Sequence, residues 1–182
     1  MRGKAQSIKN PRSELQMENR GKFGIISDLM SKALSVVNDG FKAVSVKKSP
    51  FNTAVQVNMK SITESGGELI MSEAKFSYGK LLAPQAGNFS MSDTTLTATV
   101  ESLGESFEGS KVYLVCVFFD SQNRTLMVIP KSAPVVSSES SINFQVIIPD
   151  NLAFDTVRAY AFSFDDASKD ASPTTYIGEL SA

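Results

Sequence analysis

The first third of the chain carries apolar residues at helical spacing. From Phe23 onward these residues recur at steps that are mostly three or four, and Leu15 lies further upstream. The apolar positions are Leu15, Phe23, Ile26, Leu29, Met30, Ala33, Val37, Phe41 and Val44. This spacing is typical of an amphipathic helix that buries one face. Gly21 and Gly24 weaken the helical pattern, so both one long helix and a break near residue 21 are consistent with it.

The stretch NPRSELQ has the composition of a helix start. Asn10 can cap the helix, and Pro11 suits the first helical position. Glu14 lies in the first turn, where the helix dipole favours negative charge. Ser13 with Gln16 offers an alternative capping box a few residues later.

A second helix start lies in KKSPFN, where Ser49 is the predicted cap and Pro50 takes the first helical position. Helical spacing continues through Ile62 to the turn ESGG. The pattern therefore predicts a long helix followed by a shorter one over residues 13–66.

After Gly67 the pattern changes to that of β-strands. LTATV alternates apolar residues with threonines, which indicates a half-buried strand, and KVYLVCVFF is apolar almost throughout, as in a central strand. DSQN is a predicted hairpin turn. The seven predicted strands are AKFSYGKLL, LTATV, KVYLVCVFF, RTLMVIP, SINFQVIIP, TVRAYAFSF and TYIGEL. Their spacing predicts an Ig-like antiparallel β-sandwich over residues 67–182, so the fold class is α+β, with a helical hairpin before the sandwich.

Residues 1–12 are predicted to form a basic extended arm. The charge of the chain is uneven: residues 1–60 carry 11 Lys or Arg and 4 Asp or Glu, a net charge of +7, and residues 61–182 carry 7 and 15, a net charge of −8. This separation of positive and negative charge along the chain favours contacts between neighbouring subunits of a repeating assembly. A solvated basic helix beside an acidic β domain also explains it.

No segment predicts a membrane span or a signal peptide. The strongly apolar runs, such as VYLVCVFF, are shorter than the roughly 20 residues that a spanning helix needs. Basic residues near the N-terminus are not followed by the apolar stretch of a signal peptide. We expect a protein of the cytoplasm, or of a particle that is assembled there.

The residue types argue against catalysis. The chain has no histidine, which removes the commonest general base, and its one cysteine, Cys116, lies in an apolar strand where a buried thiol is expected. Asp165, Asp166 and Asp170 resemble a calcium loop only loosely, because the central glycine and the closing glutamate are missing. We expect no enzyme activity, no cofactor and no metal site.

Several stretches together resemble a known family. They are NPRSELQMENRGKFG, GFK, SPFNTAVQVNMK and the last seventy or so residues. They are similar to an uncharacterised family of the Bacteroidota and their phages, catalogued as a domain of unknown function. Members of that family carry an NPR(S/T)xxQxxxRxKF element, a helix ending in GFK, an FNxAVxxN helix and a C-terminal β domain. A Gly-rich first fifth usually precedes these elements, and the basic stretch MRGKAQSIK stands in its place here.

The resemblance implies a structural component of a phage virion, an auxiliary capsid protein or a tail or neck component. Phe23 in the motif is expected to serve the core. The residues expected at an interface are Arg2, Lys4, Lys9, Arg12, Gln16 and Arg20. Of these, Arg12, Gln16 and Arg20 are spaced by four and so share one helical face. The expected partners are other virion proteins and copies of this chain, with no membrane partner.

Three other functions are considered. Nucleic-acid binding by the arm is the weaker alternative, because its charges are few and no aromatic residues are interleaved among them. A host adaptor that binds one partner is the main alternative to a virion protein. A carbohydrate-binding module would need exposed aromatic residues, and Tyr78, Tyr113, Tyr160 and Tyr176 are the candidates.

Overall fold

A computed structural model describes residues 13–62, 69–136, 138 and 140–182. Helix α1 spans Glu14–Lys32, α2 spans Leu34–Gly40 and α3 spans Pro50–Ser61. The predicted arm, with the predicted helix start at Asn10 and Pro11, and the predicted turn ESGG lie outside the described residues. In the described part of the chain, α1 follows Ser13, which adopts an extended backbone without a side-chain capping hydrogen bond.

The predicted long helix is interrupted at one point. Ala33, with φ −95° and ψ 16°, separates α1 from α2, whereas α1 runs without a break through Gly21 and Gly24. Both helices bury apolar side chains in the core. These are Ile26, Leu29 and Met30 of α1 and Val36 and Val37 of α2. In α3 the predicted cap is confirmed, because the Ser49 side chain accepts a hydrogen bond from the Asn52 N–H at 3.2 Å.

In the described part of the chain, eight strands follow the helices, together with 3₁₀ turns at Met71–Glu73 and Glu105–Phe107. The strands are β1 (Gln85–Ser92), β2 (Thr95–Glu101), β3 (Ser110–Phe119), β4 (Thr125–Pro134), β5 (Ser141–Ile147), β6 (Thr156–Asp165), β7 (Asp170–Ala171) and β8 (Thr175–Ser181). Six of the seven predicted strands are confirmed. The hairpin turn after β3 is confirmed as well, with the Asp120 carboxylate accepting the N–H groups of Gln122 and Arg124.

The strands form two antiparallel sheets. One has the order β1-β2-β5; in the other β4, β3 and β6 are consecutive, and both β7 and β8 pair with β6. The chain crosses between the sheets after β2, β4 and β5, so hairpin neighbours alternate with crossovers as in a Greek key. The fold is α+β, and its β part has the Ig-like sandwich arrangement that the sequence predicts.

The second sheet is covered on both faces. Val112, Leu114, Cys116 and Phe118 of β3 face the first sheet, in one core cluster. The alternate residues Val115, Val117 and Phe119 belong to a second cluster with the helices. The molecule thus has three layers, helices, β4-β3-β6-β8 and β1-β2-β5. This explains why KVYLVCVFF is apolar almost throughout rather than alternating.

The prediction of a strand over AKFSYGKLL is wrong. Residues 74–82 form an irregular segment between the helices and the second sheet, and the first strand is β1, which the pattern analysis did not identify. Phe76 is buried there with its ring centroid 4.9 Å from that of Tyr160. The N–H groups of Phe76 and Ser77 donate to Thr174 Oγ1, each at 2.9 Å. The Tyr78 and Leu81 N–H groups donate to the carbonyls of Gly40 and Ala171. Isolated contacts to several parts of the fold, rather than a continuous strand ladder, satisfy this backbone.

Candidate docking surface on the first helix

The N-terminal half of α1 extends away from the core. Ile26, Leu29 and Met30 are fully buried, whereas no residue from 13 to 25 is buried. Leu15 is 67% exposed and Phe23 is 53% exposed, both large fractions for apolar side chains. The helix therefore continues past the layer that buries its C-terminal half.

Leu15, Asn19 and Phe23 form one ridge along this helix, hereafter the exposed ridge. They are four residues apart, so they lie on consecutive turns and on the side that Ile26 and Met30 continue into the core. All three are solvent-exposed. The exposed ridge therefore extends the core-facing side of α1 toward the N-terminus, beside Lys22, whose side chain is only 12% exposed.

Local interactions support the helix along the ridge. Glu14 lies in the first turn, where the dipole favours it, and Lys22 Nζ lies 2.7 Å from Glu18 Oε1 in an i,i+4 pair. Gly21 and Gly24 each weaken an exposed helix by about 1 kcal/mol relative to Ala. Since these local terms are small, the attachment of α1 to the core from Ile25 onward holds the helical conformation.

The structure places two of the six predicted interface residues. Gln16 and Arg20 lie on the turns of α1 next to the exposed ridge, Gln16 half-buried and Arg20 exposed. Gln16 Oε1 is buried and finds no hydrogen-bond partner among the described residues. Arg2, Lys4, Lys9 and Arg12 lie outside the described residues.

The assignment of Phe23 to the core is wrong. Apolar spacing is dense from Phe23 on, and seven residues lie between Leu15 and Phe23. The dense run thus includes Phe23, although burial begins only at Ile26. Spacing does not show this boundary, because the same periodicity describes a helix face whether or not another layer covers it. Nothing in the sequence pattern indicates Leu15, Asn19 or Phe23 as interface residues.

A shallow groove of about 230 Å³ lies between α1 and the β3–β4 hairpin. It is lined by Gly24, Ile25, Asp28, Arg124 and Thr125. The Lys32 ammonium pairs with Asp28 and also donates to the Thr125 carbonyl, so it joins the helix to the hairpin. Thr125 Oγ1 is buried and has no hydrogen-bond partner among the described residues.

The candidate carbohydrate-binding aromatics are not on an open sheet face. Tyr160 is fully buried, and Tyr113 and Tyr176 pack against the cluster between the helices and the second sheet. Only Tyr78 of the four is largely exposed, at 55%. Three of the four tyrosines therefore pack between layers, and Tyr78 is left as a single exposed ring rather than part of a stacking platform.

The polar residues with potential chemistry are engaged in local contacts. Asp166 pairs with Lys111 at 3.0 Å, and this hydrogen bond lowers the pKa of the carboxyl. The Asp165 carboxylate accepts from the Ser168 hydroxyl at 2.7 Å and from the Ala167 N–H at 2.9 Å, which lowers its pKa too. Within the described ranges no three His, Cys, Asp or Glu residues are grouped as a metal site would require. None of the helices in those ranges is long and apolar enough to cross a membrane.

These features define a class of protein: an Ig-like sandwich with a helical layer on one sheet and a helix that carries exposed apolar residues beyond that layer. The chain belongs to a family of unknown function, DUF6266, whose model matches residues 1–178. The resemblance drawn from the helical motif is thus confirmed as far as an uncharacterised family goes. No curated protein matches the sequence.

Proposed function

We propose that this protein is a non-enzymatic structural subunit, an auxiliary capsid protein or a tail or neck component of a phage virion. It docks on neighbouring subunits through α1 and the basic N-terminal segment. The observation that supports this most is the exposed ridge, where the core-facing side of α1 continues in solvent. Large apolar side chains left exposed on one face of a helix are suited to a protein–protein contact when a partner makes the covered surface contiguous.

The exposed ridge can contribute binding free energy, and the charged side chains beside it can align the ridge on the neighbouring subunit. Burying a Leu or Phe side chain contributes about 1.5–3 kcal/mol, so Leu15 and Phe23 are the expected anchors. Arg2, Lys4, Lys9 and Arg12, with Gln16 and Arg20, are the expected contacts around them. Such charges affect association rate and salt sensitivity more than affinity.

Two further features support an assembly role. The net charge of +7 in residues 1–60 and −8 in residues 61–182 lets the basic part of one subunit attract the acidic part of a neighbour. The resemblance described above implies a family of the Bacteroidota and their phages, which is the second support. A host adaptor is the alternative, and it would use the same helix to bind one partner without forming large assemblies.

Light scattering of the full chain, at low and high salt, tests the assembly role. The comparison variants are a chain without residues 1–12 and the pair Leu15→Glu and Phe23→Glu. We expect assemblies that shrink with salt and with each variant. A second assay is cosedimentation of the full chain with structural proteins of the phage that encodes it. A monomer at every salt concentration that binds no virion protein would overturn the proposal.

A further inference from the structure

The edge of the first sheet that β5 forms is open. β5 ends the order β1-β2-β5, and its seven residues pair with β2 in a regular register without a bulge. Just beyond this ladder the Ile148 N–H donates to the Thr94 carbonyl at 2.7 Å. Hydrogen-bonded positions alternate along an antiparallel pair, so the even-numbered residues of β5 direct their backbone groups to β2. The odd-numbered residues direct theirs to the open edge; they are Ser141, Asn143, Gln145 and Ile147.

The other edges of the two sheets are less suited to an added strand. β4 contains Pro130 and Pro134, which have no N–H to donate, and the exposed Lys131. β1 and β8 contact each other, and the register of each with its neighbouring strand shifts once. β5 has no proline, glycine, charged residue or bulge. It is therefore the edge at which an extended segment can add through main-chain hydrogen bonds.

The surroundings of this edge are acidic. The first sheet and the loops that leave it lie in residues 81–109 and 135–155, which carry four and three Asp or Glu respectively and no Lys or Arg. Glu101, which is exposed, pairs with Ser141 at one end of β5, and the exposed Asp150 lies just beyond the other end. A segment that adds here meets negative charge at both ends, which favours a basic segment.

Residues 1–12 have the complementary composition, with four Lys or Arg and no Asp or Glu. We propose that residues 1–12 of one copy add as an extra strand to the open edge of β5 in a second copy. This inference rests on the proposed function, and it identifies the acceptor of the basic N-terminal segment.

The spacing of charges in the segment fits the edge. KAQSIK, residues 4–9, contains neither proline nor glycine, so every residue in it has an N–H for pairing. At about 3.3 Å per residue, Lys4 and Lys9 lie about 17 Å apart in an extended strand, and Ser141 and Ile147 lie about 20 Å apart. The two lysines then fall near the two acidic ends of the edge, whichever way the added strand runs.

The order of the layers favours a second copy over the same chain as the acceptor. α1 begins at Glu14 in the helical layer, whereas β5 lies on the far side of the second sheet. Packed layers are spaced by about 10 Å, so two spacings separate α1 from β5. From Lys9 to Glu14 an extended chain reaches at most about 18 Å. Residues 4–9 are therefore attached too closely to α1 to lie along the β5 edge of their own chain.

Cysteine crosslinking between two variants tests this contact. Ser7→Cys provides a thiol in the segment and Asn143→Cys one on the open edge, and Ser132→Cys, exposed on β4, is the matched control acceptor. Mixed with S7C under mild oxidation at low salt, N143C should form the disulfide heterodimer at least tenfold faster than S132C. Lys4→Glu together with Lys9→Glu in the S7C chain should remove that advantage, and high salt should reduce it.

Equal rates for N143C and S132C, in variants whose circular dichroism and melting match the native chain, would overturn this acceptor site. The native Cys116 is buried and does not compete for the crosslink. A double variant S7C/N143C that closes within one chain, while the mixed single variants do not crosslink, would overturn the contact between copies.

The proposed function is judged separately by light scattering and cosedimentation. If N143C gains no advantage while salt-sensitive assemblies persist, the β5 acceptor is wrong and the assembly role stands. If S7C crosslinks to N143C but the chain binds no virion protein, the contact between copies stands and the virion role falls.

Discussion

At the scale of single residues, Asn58 is the polar side chain on which the helical layer most depends. It is fully buried in α3, and its amide donates to the Ala54 and Lys75 carbonyls at 2.9 and 2.8 Å. Its Oδ1 accepts the Lys75 N–H at 2.8 Å. The side chain thus satisfies both backbone groups of Lys75 and attaches α3 to the irregular segment after it.

Replacing Asn58 with Ala should destabilise the protein strongly. The change leaves the N–H and C=O of Lys75 without the partners they have now, and we expect the free energy of unfolding to fall by about 3 kcal/mol. Urea denaturation followed by circular dichroism measures this. Asn52→Ala is the control, because Asn52 is exposed on the same helix, and its effect should stay within about 0.5 kcal/mol. Similar losses for the two variants would contradict this account of Asn58.

The buried thiol of Cys116 makes the free energy of unfolding fall as the pH rises in the alkaline range. Burial raises the pKa of its thiol from 9.0 to about 12, so the unfolded chain releases the proton first. This contribution to stability is complete below pH 9 and is lost as the pH rises toward 12. Between pH 9 and 10 the free energy of unfolding should therefore fall by about 1 kcal/mol.

Urea titrations of the native chain and of Cys116→Ala at pH 8, 9 and 10 check the slope. The variant should have a flatter dependence between pH 9 and 10, whatever its absolute stability. Burial raises the pKa of the Tyr160 hydroxyl as well, and that effect adds to the loss at higher pH in both proteins. The same slope in both proteins over this interval would rule out the thiol as its source.

At the scale of elements, the end of α2 approaches the irregular segment too closely for any side chain. A Cβ on Gly40 would overlap the Phe76 carbonyl oxygen and lie 2.9 Å from Ser77 Cα, whereas a Cβ on Gly21 would meet nothing within 4 Å. The Tyr78 N–H donates to the Gly40 carbonyl at 2.9 Å across the same contact. Gly40 thus permits the helical layer to meet the segment that leads into the sandwich.

We expect the same substitution, glycine to alanine, to have opposite effects on stability at Gly40 and Gly21. Gly40→Ala should lower the free energy of unfolding by about 1–3 kcal/mol, because backbone atoms must move apart. Gly21→Ala should raise it by up to about 1 kcal/mol, since Ala is the better helix former and the site is open. Thermal melting of the two variants beside the native chain measures both. A neutral Gly40→Ala would show that α2 does not lie this close to residues 76 and 77.

At the scale of the whole molecule, the helical layer and the sandwich share one interface. Val115, Val117, Phe162 and Phe164 on the outer face of the second sheet are buried in the same cluster as the helix residues. Tyr113 adds a polar link, because its hydroxyl donates to Asp39 Oδ2 of α2 at 2.5 Å. Neither layer covers its own apolar face without the other.

We therefore expect the helices and the sheets to unfold in one cooperative transition. Helix content can be followed in urea by far-ultraviolet circular dichroism, and the layer contact by the near-ultraviolet signal of the tyrosines, several of which lie between the layers. The two curves should coincide within error. A helical transition that precedes loss of the tyrosine signal would show that the layers are separate folding units.

Some sequence patterns identify a strand by themselves, and others do not. Strands such as β3 and β6 were predictable because short apolar runs rich in β-branched and aromatic residues, bounded by turn residues, are typical of buried strands. Residues 74–82 were mistaken for a strand because Phe76 and its neighbours alternate in the right way. The N–H groups of Lys75 and Phe76 donate to Asn58 and Thr174, which lie 17 and 98 residues away from them in the chain. No local pattern contains that information.

The sequence by itself determined the class of fold, six of the strands and their order, the Ser49 cap and the uneven charge, because each depends on residues close together in the chain. The tertiary structure decided which apolar residues are core and which are surface. Leu15 and Phe23 have the residue types and spacing of core positions, and only the edge of the helical layer near Ile25 leaves them in solvent. Burial is a property of what packs against a residue, and that partner is set by contacts distant in sequence.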